Sequence, residues 1–350
     1  MSPSRISRLA ASLLLTLALL AACGGSAPTT APAAVPTTAA AQPAGETTIR
    51  LGYVPVMIYA PLYVGIERGY FAAEGIKIES TAIQGGSEAV VQLAAGNFDA
   101  SLGGAGAGLF NAASRGVKFT IVAPMHSEKA PLTSPLVISA KRTGEFKSIA
   151  DLKGKKVAIN ATGAATEYWL AQALAKGGLT INDVQVTTVS FAQVPAALES
   201  GSLDAAILGE PLATINMDKG IVAILSNDFI DGFYATYLYM GDKLLTEKPE
   251  VAKGFLRAYL RACRDLQGKY MSPEIAAIIE KYTKVPAAVV LRASPAQYDP
   301  NGVVPIANLN TLQDYFMSRG LLEFKQPLDV TKFVNTTLAA EAAKELDATK

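Results

Sequence analysis

Side chains able to bind a small molecule recur directly after the short apolar segments of this sequence, where predicted strands end. In an α/β sheet, ligands bind outside the carboxyl ends of the strands, so these residues are candidates whatever the protein does. In the first part of the chain they are Tyr53, Pro55, Met57, Tyr59, Gln84, Gly85, Gly86, Ser87, Gly104 and Gly106. Further along they are Asn160, Thr162, Gly163, Ala164, Tyr168, Trp169, Phe191, Gln193, Gly209 and Glu210.

Two of these segments are turns that begin predicted helices. Gly86-Ser87 and Thr162-Gly163-Ala164 each present backbone N–H groups that have no partner within the helix and can hydrogen-bond an anion or a carbonyl. The alternative is that Ser87 or Thr162 simply caps its helix, and such a cap would be present in either case. The turns alone therefore say little about the type of ligand.

Three ring side chains have an alternative role beside ligand binding. Trp169 is the only tryptophan and follows Tyr168 one turn into a predicted helix, so helical spacing carries at most one of the two toward a cleft. The other is expected in the core. His126, the only histidine, follows a strand end and can donate a hydrogen bond to a ligand, although a lone histidine in a loop is more often solvated.

Charge separates the possible ligands. An anion is commonly held by Arg or Lys as well as by helix N-termini, and the candidate segments contain neither cation. They contain instead the acid Glu210, which repels an anion and accepts hydrogen bonds from a ring N–H, and the aromatic residues Tyr53, Tyr59, Tyr168, Trp169 and Phe191. This combination favours a flat, neutral, nitrogen-containing ring, unless the aromatic residues pack inward.

The elements that must position these residues alternate between strands and helices. Strand patterns lie at 49–54, 76–81, 100–103 and 120–124, with helical patterns at 60–71 and 87–95. The alternation restarts with strands at 157–160, 184–189 and 205–208 and helices at 162–176 and 194–200. After an extended segment at 234–240, helical patterns dominate at 249–267, 273–282, 286–293 and 309–319. This order predicts an α/β fold with mostly parallel sheets.

An internal similarity predicts two lobes of the same design. Residues 93–100 and 198–205 match in residue class at nearly every position, and each reads as a helix, a glycine cap, an apolar residue, an aspartate and a strand. The length of 350 residues also favours two domains. The formal net charge of +1 leaves no basic excess to hold a nucleic acid.

The first residues predict export and anchoring. Arg5 and Arg8 precede an uncharged run over 9–22, shorter than the roughly 18 residues that span a bilayer, so residues 1–22 read as a signal peptide. Leu20-Ala21-Ala22-Cys23 resembles a bacterial lipobox, which predicts lipidation of Cys23. Residues 23–46 are rich in Ala, Pro and Thr and read as a disordered tether.

Scarcity of metal ligands excludes several kinds of site. Two cysteines and one histidine cannot form a multi-cysteine zinc site, an iron–sulfur cluster or a disulfide framework. No metal and no cofactor is therefore implied. Cys263 has no partner and is expected to be a buried apolar residue.

Several phrases resemble one family. LGYVPVMIYAPLYVGIERGYFAAEGIKIE, GGSEAVVQLAAGNFDASLGG and SIADLKGKKVAI resemble the solute-binding proteins of ABC importers that serve sulfonates, nitrate, thiamine-pyrimidine precursors and related compounds. The resemblance covers about residues 48–320. It implies a two-lobed periplasmic-binding-protein fold of type II, in which each lobe is a mixed, mostly parallel sheet flanked by helices. Two hinge strands join the lobes, and the ligand is shut between them.

The resemblance also implies boundaries and partners. Lobe one would comprise 48–136 and 241–325, lobe two 137–240, the hinge strands 136–140 and 237–240, and a C-terminal helical tail 326–350. The implied partners are a small-molecule ligand and a membrane permease with its ATPase. The protein itself would be a monomer, held by its lipid on the extracytoplasmic face of the cell membrane.

Among the ligands known for the family, riboflavin is slightly favoured. The aromatic set is large, and Asn160, Thr162 and Gln193 can meet a ribityl chain. A thiamine pyrimidine precursor comes next, and alkanesulfonate, taurine or nitrate remains the alternative. A thiamine-pyrimidine synthase has the same fold but depends on a Cys-rich iron-binding motif, which this chain lacks, so a binding protein is favoured over an enzyme. Delivery to a signalling receptor instead of a permease stays open.

Overall fold

Apolar and β-branched runs form the strands, and amphipathic segments between them form the helices. The computed structural model of the chain describes residues 45–83 and 85–348, so the predicted signal peptide, Cys23 and most of the tether lie outside it. The strands are β1 (Thr47–Tyr53), β2 (Ile76–Ala82), β3 (Ala100–Gly104), β4 (Phe119–Pro124), β5 (Ser127–Glu128), β6 (Leu136–Ser139), β7 (Lys156–Ile159), β8 (Gln185–Thr188), β9 (Ala205–Ile207), β10 (Val222–Ser226), β11 (Phe233–Tyr234) and β12 (Thr236–Gly241).

The helices cover the faces of the sheets formed by these strands. They are α1 (Ala60–Glu67), α2 (Tyr70–Ala73), α3 (Gly86–Ala94), α4 (Ala107–Ser114), α5 (Ala165–Lys176), α6 (Val194–Glu199), α7 (Leu212–Asp218), α8 (Asp242–Glu247), α9 (Pro249–Asp265), α10 (Pro273–Thr283), α11 (Ala287–Val290), α12 (Ile306–Ser318) and α13 (Thr337–Ala348). Within the described residues, no helix is both long and apolar enough to cross a membrane.

Two five-stranded sheets share one arrangement. The first has the order β2-β1-β3-β12-β4, with β1 parallel to β2 and β3 and with β12 antiparallel to β3 and β4. The second has the order β8-β7-β9-β6-β10, with β7 parallel to β8 and β9 and with β6 antiparallel to β9 and β10. These sheets confirm the predicted α/β, two-lobed fold class.

The aspartate that the two similar segments 93–100 and 198–205 share makes the same hydrogen bonds in both sheets. Asp99 accepts the backbone N–H of Arg50 in β1 at 2.9 Å, and Asp204 accepts the backbone N–H of Lys156 in β7 at 2.7 Å. Each aspartate N–H also donates back to the carbonyl of that same residue, at 2.8 and 2.9 Å. These bonds therefore fix the start of β3 beside β1 in the first sheet and the start of β9 beside β7 in the second.

The chain passes between the sheets in two segments, over 125–135 and 227–235. Each contributes one short strand, and β5 pairs with β11 antiparallel between the two larger sheets. The predicted hinge segments 136–140 and 237–240 directly follow these two passages. They coincide with β6 and β12, which are buried and paired on both sides within the second and first sheets.

The late helices complete the hydrophobic cores. α9 packs against α1, α2 and α13, and its buried face includes Phe255 and Tyr259. Cys263 lies on the same helix and is 1% exposed, which confirms that it is a buried apolar residue. Tyr315 of α12 packs edge-to-face on Tyr168 of α5 with ring centroids 5.2 Å apart, so α12 also contacts the half of the molecule that contains the second sheet.

Candidate functional site

A cavity of about 390 Å³ lies where the carboxyl ends of strands from both sheets meet. Its volume falls in the range of about 300–1,000 Å³ that is typical of small-molecule sites. Its lining includes residues that follow β1, β2, β3, β7, β8 and β9. The rule that ligands bind beyond strand ends therefore locates the cavity correctly.

Besides Gly85, Gly106 and Gly209, nine of the predicted site residues line this cavity. They are Tyr59, Gly86, Gly104, His126, Asn160, Ala164, Trp169, Phe191 and Glu210. Gln84 and the side chain of Ser87 lie outside the described part of the structure. Five others, Tyr53, Met57, Thr162, Gly163 and Gln193, do not line it, and neither do Pro55 and Tyr168.

Core packing explains two of the five. Met57 is 1% exposed and belongs to the core between the first sheet and α9. Tyr53 packs edge-to-face against Tyr59 and Tyr63, with ring centroids 6.2 and 5.9 Å apart. Both residues therefore support the cavity wall from behind.

The other three make local contacts or face solvent. Gly163 accepts the N–H of Ala107 at 2.8 Å through its carbonyl. Gln193 accepts the hydroxyl of Ser190 at 3.0 Å, and Thr162 is exposed. None of the three presents its side chain to the cavity.

Trp169 rather than Tyr168 faces the cavity. Trp169 lines it and is only 3% exposed. Tyr168 packs instead against Phe233 and Tyr315, with ring centroids 4.9 and 5.2 Å apart. The two neighbours divide between cavity and core as helical spacing requires.

Glu210 lines the cavity with a carboxylate that already has partners. It is buried, and its two oxygens accept the N–H of Thr214 at 3.0 Å and the hydroxyl of Thr214 at 2.9 Å. Burial raises the pKa of Glu210, against the opposing effect of these two hydrogen bonds. The carboxylate therefore holds the first turn of α7 in place, and the Ser294 backbone also lowers its pKa by hydrogen bonding.

His126 is buried, which contradicts the expectation that a lone loop histidine is solvated. It is 2% exposed, and its Nδ1 lies 2.5 Å from Oγ1 of Thr236. Its Nε2 has no hydrogen-bond partner in the described part of the chain. The nearest anion is Glu128, whose Oε1 lies 3.6 Å from Nε2, an ion-pair distance that is too long for a hydrogen bond.

Glu128 is a buried acid that the sequence reasoning missed. Its Oε2 accepts the N–H of Thr133 at 2.8 Å and its Oε1 accepts the Thr133 hydroxyl at 2.7 Å. Burial acts to raise the pKa of Glu128, but His126, Thr133 and Ser134 outweigh it, and the pKa lies below its ordinary value. The signal available in the sequence was the spacing of His126 and Glu128, because residues two apart on an extended segment share a face.

The wall of the cavity is apolar and acidic. Its described lining residues include Glu88 and Glu210, and they include no Lys or Arg. Thr133, Ser134 and Thr236 add hydroxyl groups that the sequence reasoning did not identify. The prediction that no cation lies at the candidate positions therefore holds for the described lining.

The two halves touch at the rim through glycine backbone. A Cβ on Gly106 would lie 2.4 Å from the carbonyl oxygen of Gly163, so only glycine permits this approach. The loop of Gly163 is held in turn by Glu167, which accepts the Gly163 N–H at 2.7 Å and Nε of Arg319 at 3.0 Å.

These features define the class of protein. Two sheets of one design, two passages of the chain between them and a cavity at the strand ends of both constitute a periplasmic-binding-protein fold. The alkanesulfonate-binding protein SsuA from Xanthomonas axonopodis pv. citri, solved with MOPS bound, has this fold. It superposes with a TM-score of 0.69 at 20% identity, over 83% of this chain and 99% of that one.

Sequence comparison identifies the family. Residues 42–280 match the NMT1-like family, and the chain belongs to it. A riboflavin-binding protein, RibY, from Chloroflexus aurantiacus is 29% identical over 265 residues, which is 72% of this chain and 72% of that protein. The chain is a solute-binding component of an ABC importer.

One relative is named as an enzyme. The 4-amino-5-hydroxymethyl-2-methylpyrimidine phosphate synthase of Aspergillus parasiticus is 26% identical over 238 residues, which is 64% of this chain and 66% of that protein. The family's relatives and structural neighbours are nevertheless mostly binding proteins.

Proposed function

We propose that the protein captures a neutral, nitrogen-containing heterocycle outside the cytoplasm and delivers it to a membrane permease. Riboflavin is the favoured ligand, and a thiamine pyrimidine precursor is the next. The observation that carries the proposal is the cavity wall, where the rings of Tyr59, Trp169 and Phe191 accompany Glu210 and no Lys or Arg is present among the described lining residues. The similarity to RibY supports the same ligand.

A sulfonate or nitrate is the second candidate, and one observation favours it. α3 and α5 begin at the cavity wall, where Gly86 and Ala165 lie, and helix N-termini stabilise anions. Against it stand the two acids of the wall, Glu88 and Glu210, because burying an anion beside a carboxylate is costly in a low-dielectric site.

The ligand class is tested by titrating wild type and Glu210→Gln with riboflavin, 4-amino-5-hydroxymethyl-2-methylpyrimidine and taurine. A heterocycle that donates to Glu210 should bind Glu210→Gln roughly tenfold or more weakly, because a hydrogen bond to a charged group contributes about 1.5–3 kcal/mol. Taurine should respond with the opposite sign, since the substitution removes a negative charge. Wild type that binds taurine best, with improved binding in Glu210→Gln, overturns the proposal in favour of the anion.

Trp169 provides an independent test, because it is the only tryptophan and lines the cavity. Riboflavin should quench its emission on binding. Trp169→Leu should weaken binding about two- to tenfold, since aromatic pairing contributes about 0.5–1.5 kcal/mol. The matched control is Tyr168→Phe, whose ring faces the core and should leave affinity unchanged. Equal effects of the two substitutions would contradict a ring stacked on Trp169.

A binding role without catalysis forms part of the proposal. Cys263 is the one cysteine among the described residues and is 1% exposed, so it cannot contribute to a Cys-rich iron-binding motif. Its thiol pKa is raised by burial, which disfavours the reactive thiolate. Mass spectrometry should recover the bound heterocycle chemically unchanged after prolonged incubation, and a converted product would contradict this part.

Anchoring through Cys23 completes the proposal and rests on the sequence, since this residue lies outside the described part. Cys23→Ala should release the protein from the membrane fraction and leave its melting temperature unchanged. An unmodified Cys23 in the mature protein, seen by mass spectrometry, would contradict the lipid anchor.

A further inference from the structure

One wall of the cavity carries a buried nitrogen atom without a partner. Nε2 of His126 has no hydrogen-bond partner among the described residues, although the residue lines the cavity and is 2% exposed. A buried polar atom of this kind is costly unless something in the site satisfies it. Nδ1 is already engaged by Thr236 at 2.5 Å, so the ring orientation is fixed from behind.

The surroundings of this imidazole favour the form that carries a hydrogen on Nε2. Glu128 lies 3.6 Å from Nε2 and is held as a carboxylate by Thr133, so its field favours a hydrogen at Nε2. Oγ1 of Thr236 can donate to Nδ1 of the neutral ring or accept from Nδ1 of the charged ring. In both of these forms Nε2–H is a donor with no acceptor at hydrogen-bond distance among the described residues, the nearest being Oε1 of Glu128 at 3.6 Å.

Glu210 belongs to the same wall. The backbone N–H of Glu210 donates to the carbonyl of Thr133 at 2.7 Å, and Thr133 is the residue that holds Glu128 beside His126. A continuous chain of contacts thus joins His126 to Glu210 through Glu128 and Thr133. Both His126 and Glu210 line the cavity, one as a donor and the other as an acceptor.

We infer that His126 and Glu210 together read one edge of the ligand, with Nε2–H donating to a ligand acceptor and the Glu210 carboxylate accepting from a neighbouring ligand N–H. Glu128 is a positioning residue that acts through His126. The inference rests on the proposed function and deepens it, because it requires a heterocycle whose edge carries an acceptor beside a donor. The imide edge of riboflavin and the aminopyrimidine edge, with its amino group beside a ring nitrogen, both have this chemistry.

The test compares ligands that differ only at this edge. Riboflavin is titrated against 3-methylriboflavin, and the hydroxymethyl aminopyrimidine against its 4-dimethylamino analogue, so that methylation removes the N–H and leaves the acceptors. Wild type should bind the methylated member of its preferred pair roughly tenfold or more weakly. The pair that binds distinguishes the flavin from the pyrimidine.

Variants of Glu210 and His126 test which residue binds the donor and which binds the acceptor of the ligand edge. Glu210→Gln should bind the unmethylated member more weakly and narrow the difference between the two, since the remaining amide oxygen is an uncharged and weaker acceptor. His126→Phe should weaken both members by a similar factor of roughly ten and keep the discrimination, because it removes only the donor. His126→Gln retains an N–H donor and should recover part of the affinity, which separates lost hydrogen bonding from misfolding. Glu247→Gln, an exposed acid outside the cavity, is the matched control.

Two results overturn the inference, and they are distinguishable. If wild type binds a heterocycle but Glu210→Gln and His126→Phe leave both its affinity and its discrimination unchanged, the edge assignment is wrong and the proposed function stands. If wild type binds taurine and neither heterocycle, both the inference and the proposed ligand class are wrong.

Discussion

At the scale of the residue, the carboxylate of Glu210 is subject to two opposing influences. Burial beside the cavity favours its protonated form, whereas the N–H and hydroxyl of Thr214 stabilise its charged form. Burial is the larger influence, so the pKa in the folded protein lies above that in the unfolded chain. A ligand N–H would add a further hydrogen bond and favour the charged form.

This imbalance predicts a pH dependence of stability. In the interval from the ordinary glutamate pKa up to its raised folded value, the folded state binds more protons at Glu210 than the unfolded state does. The contribution of Glu210 to the free energy of unfolding therefore falls as pH rises through that interval. Urea unfolding from pH 4 to pH 8 should show Glu210→Gln gaining stability relative to wild type as pH rises.

The control for this prediction is Glu145→Gln, which should shift in the opposite direction. Arg142 and Lys155 lower the pKa of the exposed Glu145 to about 2, so its favourable contribution is present at neutral pH and lost toward acid. Curves for Glu210→Gln and wild type that remain parallel across the range would contradict a raised pKa at Glu210.

Sequence reasoning predicted which loops line the cavity better than it predicted where individual side chains point. The strand-end rule places Asn160, Phe191 and Glu210 at the cavity because it depends only on topology. It fails at Met57, since position after a strand does not determine whether a side chain points toward the cleft or the core. Glu128 was missed because its segment runs between the sheets, outside the alternation of strands and helices.

At the scale of the element, the aspartate shared by the two similar segments 93–100 and 198–205 positions a strand in each sheet. Asp204 accepts the N–H of Lys156 and, at 2.5 Å, Nη1 of Arg142, and its side chain is 16% exposed. Asp99 makes the corresponding bonds to Arg50, which is more exposed. The same residue type therefore orders the parallel strands in both sheets.

Asp204→Asn should destabilise the protein by about 1–3 kcal/mol, because an amide cannot replace both charge-assisted hydrogen bonds. Asp99→Asn should cost less, since solvent already screens its partner. Urea unfolding measures both, with the exposed Glu247→Gln as a control expected within about 0.5 kcal/mol of wild type. An Asp204→Asn variant as stable as that control would show that these hydrogen bonds do not stabilise the protein.

Most strands and long helices were predictable from apolar periodicity, but some boundaries depend on single residues. The helix predicted over 60–71 is divided into α1 and α2, because Gly69 adopts a left-handed backbone with φ of 70°. α4 was not predicted, since its start at Gly106 has no side-chain cap and its sequence is rich in small residues. The hinge stays a prediction, because a sequence pattern shows that a segment is extended without showing which strands it pairs with.

At the scale of the whole molecule, the approach of the two halves depends on Gly106 and Gly163. Gly106 has φ of −89°, which alanine adopts freely, so Gly106→Ala changes only the space between the halves. We expect this substitution to force the two halves apart at this contact and to weaken ligand binding. Riboflavin should compact wild type and raise its melting temperature, and both responses should be reduced in Gly106→Ala.

Small-angle scattering and thermal melts with and without riboflavin measure these responses. Gly144→Ala is the matched control, because no atom lies within 4 Å of an added Cβ there. Identical dimensions of wild type with and without a bound ligand would contradict closure. If Gly106→Ala and Gly144→Ala show the same compaction and the same rise in melting temperature with riboflavin, the contact between Gly106 and Gly163 does not limit closure.

The strand order also determines when each half can form during synthesis. All strands of the second sheet come from one continuous stretch, 136–226, whereas β3 and β4 of the first sheet are joined only through β12, which ends at Gly241. Because the chain is synthesised from its amino end, the second sheet has all of its strands before the first sheet does. Proteolysis of ribosome-bound chains arrested when residue 226 has left the exit tunnel but β12 has not should spare 136–226 and cleave 47–124, and equal protection of both stretches would refute this order.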